Sequence, residues 1–287
     1  MSSTTTSPAT TGKVLVPRSA PSLSSRLAAR LRGGAATAGW GLLGFAGFIA
    51  FWAIVATRSP DLPTPSEAWS TLQTMLSGAF HDNGPNDRGI ALQLKTSLGR
   101  VFTGFVLASA LGIVLGFALG ASSRAWRALN PIVQLLRPVS PLAWFPIGLV
   151  VFQAAPSASV FVIFITALWP TLINTAFGVA SVPQDHKNVA RVFKFSKPKY
   201  VRHVLLPYSL PSMLTGMRIS MGIAWMVIVA VEMLAGGEGI GFFVWDSYNA
   251  GNLSQVVGAI FCIGAVGVVL DLALGALQRR TAFVQEG

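Results

Sequence analysis

The side chains able to do chemistry are few and far apart. His81, His186 and His203 never fall in an H-x-x-H or H-E-x-x-H spacing, and Cys262 is the one cysteine. That set builds neither a metal cluster nor a disulfide framework. No Ser/His or His/Asp/Glu group shares one depth of an apolar stretch, so no nucleophilic or acid–base centre is indicated. The only Gly-Lys pair, Gly12-Lys13, lacks the upstream glycine of a G-x-x-x-x-G-K-[ST] phosphate loop. AGGEGIGFF (235–243) is glycine-rich but carries no Lys or Arg and follows a helical run. Its glycines suit a tight turn into a short helix bearing Trp245 and Tyr248. What remains are polar groups in apolar text. Arg218 sits in MRISMGIAW; a charge there is expensive and faces a bundle interior or water, unless it snorkels to a nearby interface. Ser140, between Pro138 and Pro141 and near Arg137 and Trp144, could expose backbone donors as unwound membrane helices do. Trp144, Trp169 and Trp225 read as core packing. Glu232 is expected to pair with a basic group or line a rim, and Asp271 to meet Arg279 or Arg280.

These residues must be positioned by membrane helices. Of 287 residues, 52% are hydrophobic and only 11% charged, against about 25% charged in a soluble domain. Mean hydropathy is +0.60. Apolar runs near the 20-residue length of a bilayer span fall at 40–57, 98–121, 138–155, 158–180, 212–235 and 255–277. The expectation is an all-α integral membrane protein with six transmembrane helices. The second run carries Gly104, Gly112, Gly116 and Gly120, a small-residue ridge that lets helices approach closely. The third is short and broken by Pro138, Pro141 and Pro146, which is tolerated inside a bundle or beside a cavity. Residues 1–39 form a polar, basic head expected to be disordered and cytoplasmic. Within it LSSRLAARLR (23–32) is either a helix on an anionic leaflet or a solvated tail. Residues 40–287 form the transmembrane domain.

The net charge of +11 does not indicate nucleic acid, because the basic residues lie between apolar runs. With a cytoplasmic N-terminus, segments 1–39, 122–137, 181–211 and 278–287 hold 16 of the 21 Lys and Arg. The positive-inside rule therefore puts both termini in the cytoplasm. The loop at 181–211 is too polar to span. Val189, Val192 and Phe193 recur in it at helical spacing, with Lys187, Arg191 and Lys194 around them, before a break at Pro198. It is either an ordinary positive-inside loop or a helix that docks its apolar face in a partner's groove. Pro211 is expected to open the fifth span.

That loop resembles the coupling loop of bacterial ABC importer permeases, with the pattern E-A-A-x3-G-x9-I-x-L-P. Asn188-Val189-Ala190 stand at E-A-A, Lys194 at the glycine and Val204-Leu205-Leu206-Pro207 at I-x-L-P, without gaps. The stretches 130–152, 162–196 and 215–250 resemble the nitrate/nitrite-type permeases, a subgroup shared with bicarbonate, cyanate, taurine and alkanesulfonate importers. The resemblance covers about 95–280. It implies the type I ABC importer permease fold in a bacterial inner membrane, and ATP-driven import of nitrate or nitrite. It further implies a second copy of the permease, two cytoplasmic ATPase subunits binding ATP and Mg, and an extracytoplasmic binding protein. This chain then carries no cofactor and is not an enzyme. Asn188, Val189, Ala190, Arg191, Val192, Phe193, Lys194 and Pro207 would contact the ATPase, and Arg218, Arg137, Ser140 and Trp144 would line the anion's path. Import of bicarbonate, cyanate or an organosulfonate is the alternative. An ion-coupled secondary transporter is the rival class, but it needs intramembrane acids and only Glu232 and Asp271 are available.

Overall fold

Glycine and hydroxyl side chains on the second apolar run decide the packing of the bundle. The computed structural model describes residues 23–84 and 87–282, with side chains from Gly39 to Thr281. The chain divides after Val55 into two units, each described by itself. Helix α1 (Leu23–Arg58) forms the described part of the first and ends three residues into the second, and its stretch 39–58 is long and apolar enough to cross a membrane. Residues 1–22 of the expected head lie outside the described residues, as do the side chains of 23–32.

The second unit is helical throughout its described residues, apart from turns and one isolated antiparallel bridge between Asp82 and Arg88. Helix α2 (Pro65–Ser77) starts at a capping box. Thr64 Oγ1 accepts from the Glu67 amide at 3.3 Å while Glu67 Oε2 accepts from the Thr64 amide at 2.8 Å. The turn after it is held by His81. Its Nδ1 lies 2.6 Å from the Gly78 carbonyl and its Nε2 2.8 Å from Asp87 Oδ1. The Gly78 carbonyl first, then Asp87, hold the imidazole above its ordinary pKa, and Asn83 and His81 hold Asp87 below its own.

Helix α3 (Ile90–Ala121) contains the glycine ridge, and α6 (Ala155–Ala180) packs against it more extensively than any other pair in the bundle. A Cβ on Gly116 would stand 2.6 Å from Thr175 Cβ, and one on Gly120 would run into the Ala176 carbonyl. The backbones meet there because no side chain stands between them. In lipid, that contact replaces the hydrophobic drive of a soluble core. Helix α9 (Leu206–Ala235) lies on the other side of α6, tied to it by hydroxyls. Thr171 Oγ1 meets Ser220 Oγ at 2.8 Å, and Ser220 donates to the Ala167 carbonyl at 2.6 Å. Val101, Phe105, Ile163, Met221, Trp225 and Ile228 fill the centre of the three-helix stack. Trp225 is buried as expected and donates to the Ile263 carbonyl of α11 (Leu253–Ala282) at 3.0 Å.

Two expectations change. The run at 138–155 is not one helix. Helix α4 (Ser123–Leu136) occupies what reads as a polar inner segment, and a one-turn 3-10 helix (Pro141–Trp144) leads into the eight-residue α5 (Phe145–Phe152). The two arms bend by 95°. Pro138 and Pro141 remove two amide donors, and Ser140, before Pro141, leaves the helical region at ψ 131° while Arg137 stays in it. Among the described residues, five helices are long and apolar enough to cross a membrane, or up to six if the bent pair is one span. Nor does Pro211 open a span. It lies inside α9, which continues a short helix α8 (Lys197–Tyr200) through a wide turn at Val201–Leu205. Pro198 starts α8 rather than ending a helix. Along this stretch Ser209 Oγ donates to the Leu205 carbonyl at 2.7 Å and Thr215 Oγ1 to the Pro211 carbonyl at 2.9 Å.

Candidate functional site

The break between α4 and α5 makes a cavity. About 340 Å³ of space opens beside it, walled by Arg137, Pro138, Ser140 and Trp144 from the break, Thr166, Trp169 and Asn174 from α6, and Ile219 and Ile223 from α9. Three of the four expected pathway residues thus come together. Arg137 ends α4 as its cap and has no carboxylate within salt-bridge distance among the described residues. Ser140 precedes the 3-10 turn; its carbonyl accepts from Ala143, while its amide and hydroxyl make no hydrogen bond among the described residues. Arg137, Ser140, Thr166 and Asn174 thus bring a guanidinium and polar groups to a mostly apolar pocket, and its chemistry suits an anion. Asn174 donates through Nδ2 to the Pro170 carbonyl at 2.8 Å, which fixes its amide and leaves the rest of it for the cavity.

Arg218, the fourth, does not line this space. Its Nε and Nη2 fork onto Asp271 Oδ1 and Oδ2 at 2.7 and 2.6 Å, joining α9 to α11. Asp271 therefore pairs with Arg218 and not with Arg279 or Arg280. A Cβ on Gly275 would lie 3.4 Å from the Arg218 guanidinium carbon, at ordinary van der Waals contact. A larger groove, about 1400 Å³, runs along α3 and the α5–α6 corner over Leu107, Val114 and Phe161, and holds none of the expected residues.

Glu232 is fully buried and pairs with a basic group, as expected. Arg100 Nη1 reaches Glu232 Oε1 at 2.7 Å and the Glu238 carbonyl at 2.7 Å, and Ser97 and the Gly241 amide donate to Glu232 Oε2 at 2.7 and 3.1 Å. The glycine-rich turn closes over this carboxylate. Gly239 has φ +121° and lies so close to the carboxylate that any Cβ would run into it, and its amide donates to Gln93 Oε1 at 2.7 Å. The turn delivers the chain into α10 (Ile240–Asn249), where Trp245 and Tyr248 stack with centroids 5.8 Å apart.

At the opposite ends of α6 and α9, helix α7 (Gln184–Val192) lies in the polar loop. Ala190 is its buried residue, while Val189, Val192 and Phe193 are 53%, 76% and 71% exposed. Its end is a Schellman motif: the Lys194 amide donates to the Arg191 carbonyl at 3.0 Å and the Phe195 amide to the Ala190 carbonyl at 2.9 Å. Lys194 accordingly has φ +47°. Asn188 faces Gln184 at 3.5 Å, and His186 rests against Tyr208 of α9, next to Pro207.

Residues 108–283 match the family described as binding-protein-dependent transport system inner membrane component. The chain belongs to this family. It is 46% identical over 230 residues to the nitrate import permease protein NrtB of Synechococcus elongatus, covering 78% of this chain and 82% of that one. It is 44% identical over 242 residues to the bicarbonate transport system permease protein CmpB of the same organism, covering 83% and 87%. The taurine transport system permease protein TauC of Escherichia coli is 33% identical over 233 residues, covering 80% and 83%. Among solved structures, the inward-facing MetNI methionine ABC transporter superposes with a TM-score of 0.61 at 15% identity, over 67% of this chain and 95% of that one. The fold is that of a type I ABC importer permease.

Within this permease, the residues that sequence reasoning missed are Thr166 and Asn174 in the cavity and Gln93 and Ser97 beneath the glycine turn. Each is uncharged and stands within or at the edge of an apolar run. A search for intramembrane amides, as well as charges, would have flagged Asn174 and Gln93. The Lys194 position also explains the coupling-loop pattern, since its glycine falls where the backbone turns left-handed.

Proposed function

We propose that this permease is the membrane-spanning subunit of an ATP-driven importer for a small planar oxyanion, nitrate or nitrite, and that the anion passes the cavity at the α4–α5 break. The observation that carries this is the Arg137 guanidinium, without a carboxylate partner among the described residues, beside Ser140, Thr166 and Asn174 in a pocket otherwise walled by aromatic and aliphatic side chains. Desolvating an anion is prohibitive unless fixed donors replace its water. The NrtB relatives support nitrate. Bicarbonate is the second reading, favoured by 44% identity to CmpB over 83% of the chain. Trp144 and Trp169 offer flat walls to a planar ion.

In this reading both termini are cytoplasmic, since Arg124 and Arg127 open α4 and six further Lys and Arg lie in 181–211. Two copies of the chain assemble, a binding protein delivers the anion from outside, and two ATPase subunits below bind ATP and Mg. Val189, Val192 and Phe193 form the apolar knob that enters the ATPase; their exposure on a short helix supports that role. Arg218 braces α9 against α11 rather than meeting the anion.

The test is uptake and ATPase stimulation by the complex reconstituted with its binding protein, across nitrate, nitrite, bicarbonate, cyanate and taurine. Nitrate or nitrite should stimulate both, and Arg137→Gln should abolish uptake while the complex still assembles. Stimulation by taurine alone would overturn the planar-oxyanion reading.

A further inference from the structure

We propose that the slot between α4 and α6 is the release route of the transported anion, with Arg127 as its inner binding group. This rests on the reading of the Arg137 cavity as the anion's stop in the membrane.

A second cavity of about 420 Å³ lies between the start of α4, the end of α3 and the end of α6, walled by Trp126, Arg127, Leu119, Ala176 and Phe177. Ile173 belongs to the walls of both cavities, so they are neighbours along one face of α6. That face presents Thr166, Pro170, Ile173, Asn174 and Phe177, steps of three and four residues that bring them into one stripe. Across the slot, α4 has a single buried residue, Val133, and stands off from α6. Arg127 and Arg137 are ten residues apart on it, about 15 Å along the helix axis. Among the described residues neither has a carboxylate within salt-bridge distance, and the first turn of α4 carries no acid.

A small anion leaving Arg137 must pass Ile173, and an unpaired guanidinium waits beyond it. Two cations separated by an apolar constriction let the ion move without a long desolvated stretch. Arg127 is exposed, so the anion rehydrates there. In the proposed orientation that end faces the cytoplasm, which gives the sequence a direction: Arg137 holds and Arg127 releases.

Phe177 lines the inner cavity and is 68% exposed, and the native Cys262 is buried and is replaced by serine for the experiment. The complex carrying Phe177→Cys is treated in proteoliposomes with an anionic and a cationic methanethiosulfonate of similar size. The anionic reagent should react roughly tenfold faster, the preference a single unit charge gives at short range in a partly hydrated site. Nitrate should slow it, and Arg127→Gln should erase the preference. Arg127→Gln should also lower uptake at saturating anion several-fold with the half-saturating concentration unchanged, and Arg127→Lys should restore most of it. Equal rates for both reagents, or no reaction with either because lipid or another helix fills the slot, overturns the proposal. The cavity reading fails separately, through unchanged uptake in Arg137→Gln. A dead Arg137→Gln beside a fully active Arg127→Gln overturns the release route alone.

Discussion

Lys194 shows how one backbone angle carries information about the partner surface. A residue with a Cβ at φ +47° sits where side chains crowd the following carbonyl, at a cost of roughly 1–2 kcal/mol. The Schellman bonds to Arg191 and Ala190 hold it there. Replacing Lys194 with glycine should therefore stabilise the end of α7 by about 1 kcal/mol. The complex with the ATPase should melt at a higher temperature in detergent, and Lys194→Val should melt lower. If Gly and Val variants melt alike, the turn is not under strain. The same position was legible in the sequence because the pattern asks for glycine there. Arg137 and Ser140 were legible too, since prolines on either side announce a broken helix. The Arg218–Asp271 fork was not, because the two lie 53 residues apart and their common depth follows only once both spans are placed.

At the scale of elements, the buried carboxylate of Glu232 joins α3, α9 and the glycine turn before α10. Removing one partner of such a pair leaves the other charge uncompensated, at about 3–5 kcal/mol. Glu232→Gln should lower the thermal midpoint of the permease in detergent, and adding Arg100→Gln should recover part of the loss. A double variant no better than the single would mean the hydrogen bonds of Ser97 and Gly241 matter more than the charges. The turn between α2 and α3 has its own pH window. The folded state raises the pKa of His81, so its contribution is complete below about 6.5 and is lost as pH rises through the raised value. Asp87 is lowered, so its contribution is complete above its ordinary value and is lost as pH falls through the depressed one. The protection factors of the Gly89 and Ala91 amides, which bond the carbonyls of His81 and Ala79, measured by hydrogen exchange relative to the free-peptide rate at each pH, should be highest between those limits. His81→Ala should remove the alkaline loosening. Constant protection factors across neutral pH in the native chain would show that the imidazole does not hold the turn. Element boundaries were less legible than element types: α4 hid in a polar segment because its apolar face is one narrow stripe, and α9 starts earlier than the apolar run because Pro207 and Pro211 are carried inside one helix.

For the whole molecule, the chain has no phosphate loop of the G-x-x-x-x-G-K-[ST] type, so the purified permease should hydrolyse no ATP above background. Activity should appear on adding the ATPase subunit and be lost again with Phe193→Asp, measured by phosphate release. Hydrolysis by the permease alone would require a nucleotide site of a different kind. Five of the six apolar runs were readable as spanning helices because span length is set by bilayer thickness, whereas the cavity was not, because it exists only where three helices meet. The Arg100–Glu232 pair has a consequence for biosynthesis. The two charges are 132 residues apart and enter the bilayer in separate insertion events, so the ribosome must complete α9 before Arg100 has its counter-charge. Until then the nascent chain carries an unneutralised cation at the rim of α3, and α9 arrives with an acid that its own helix cannot satisfy.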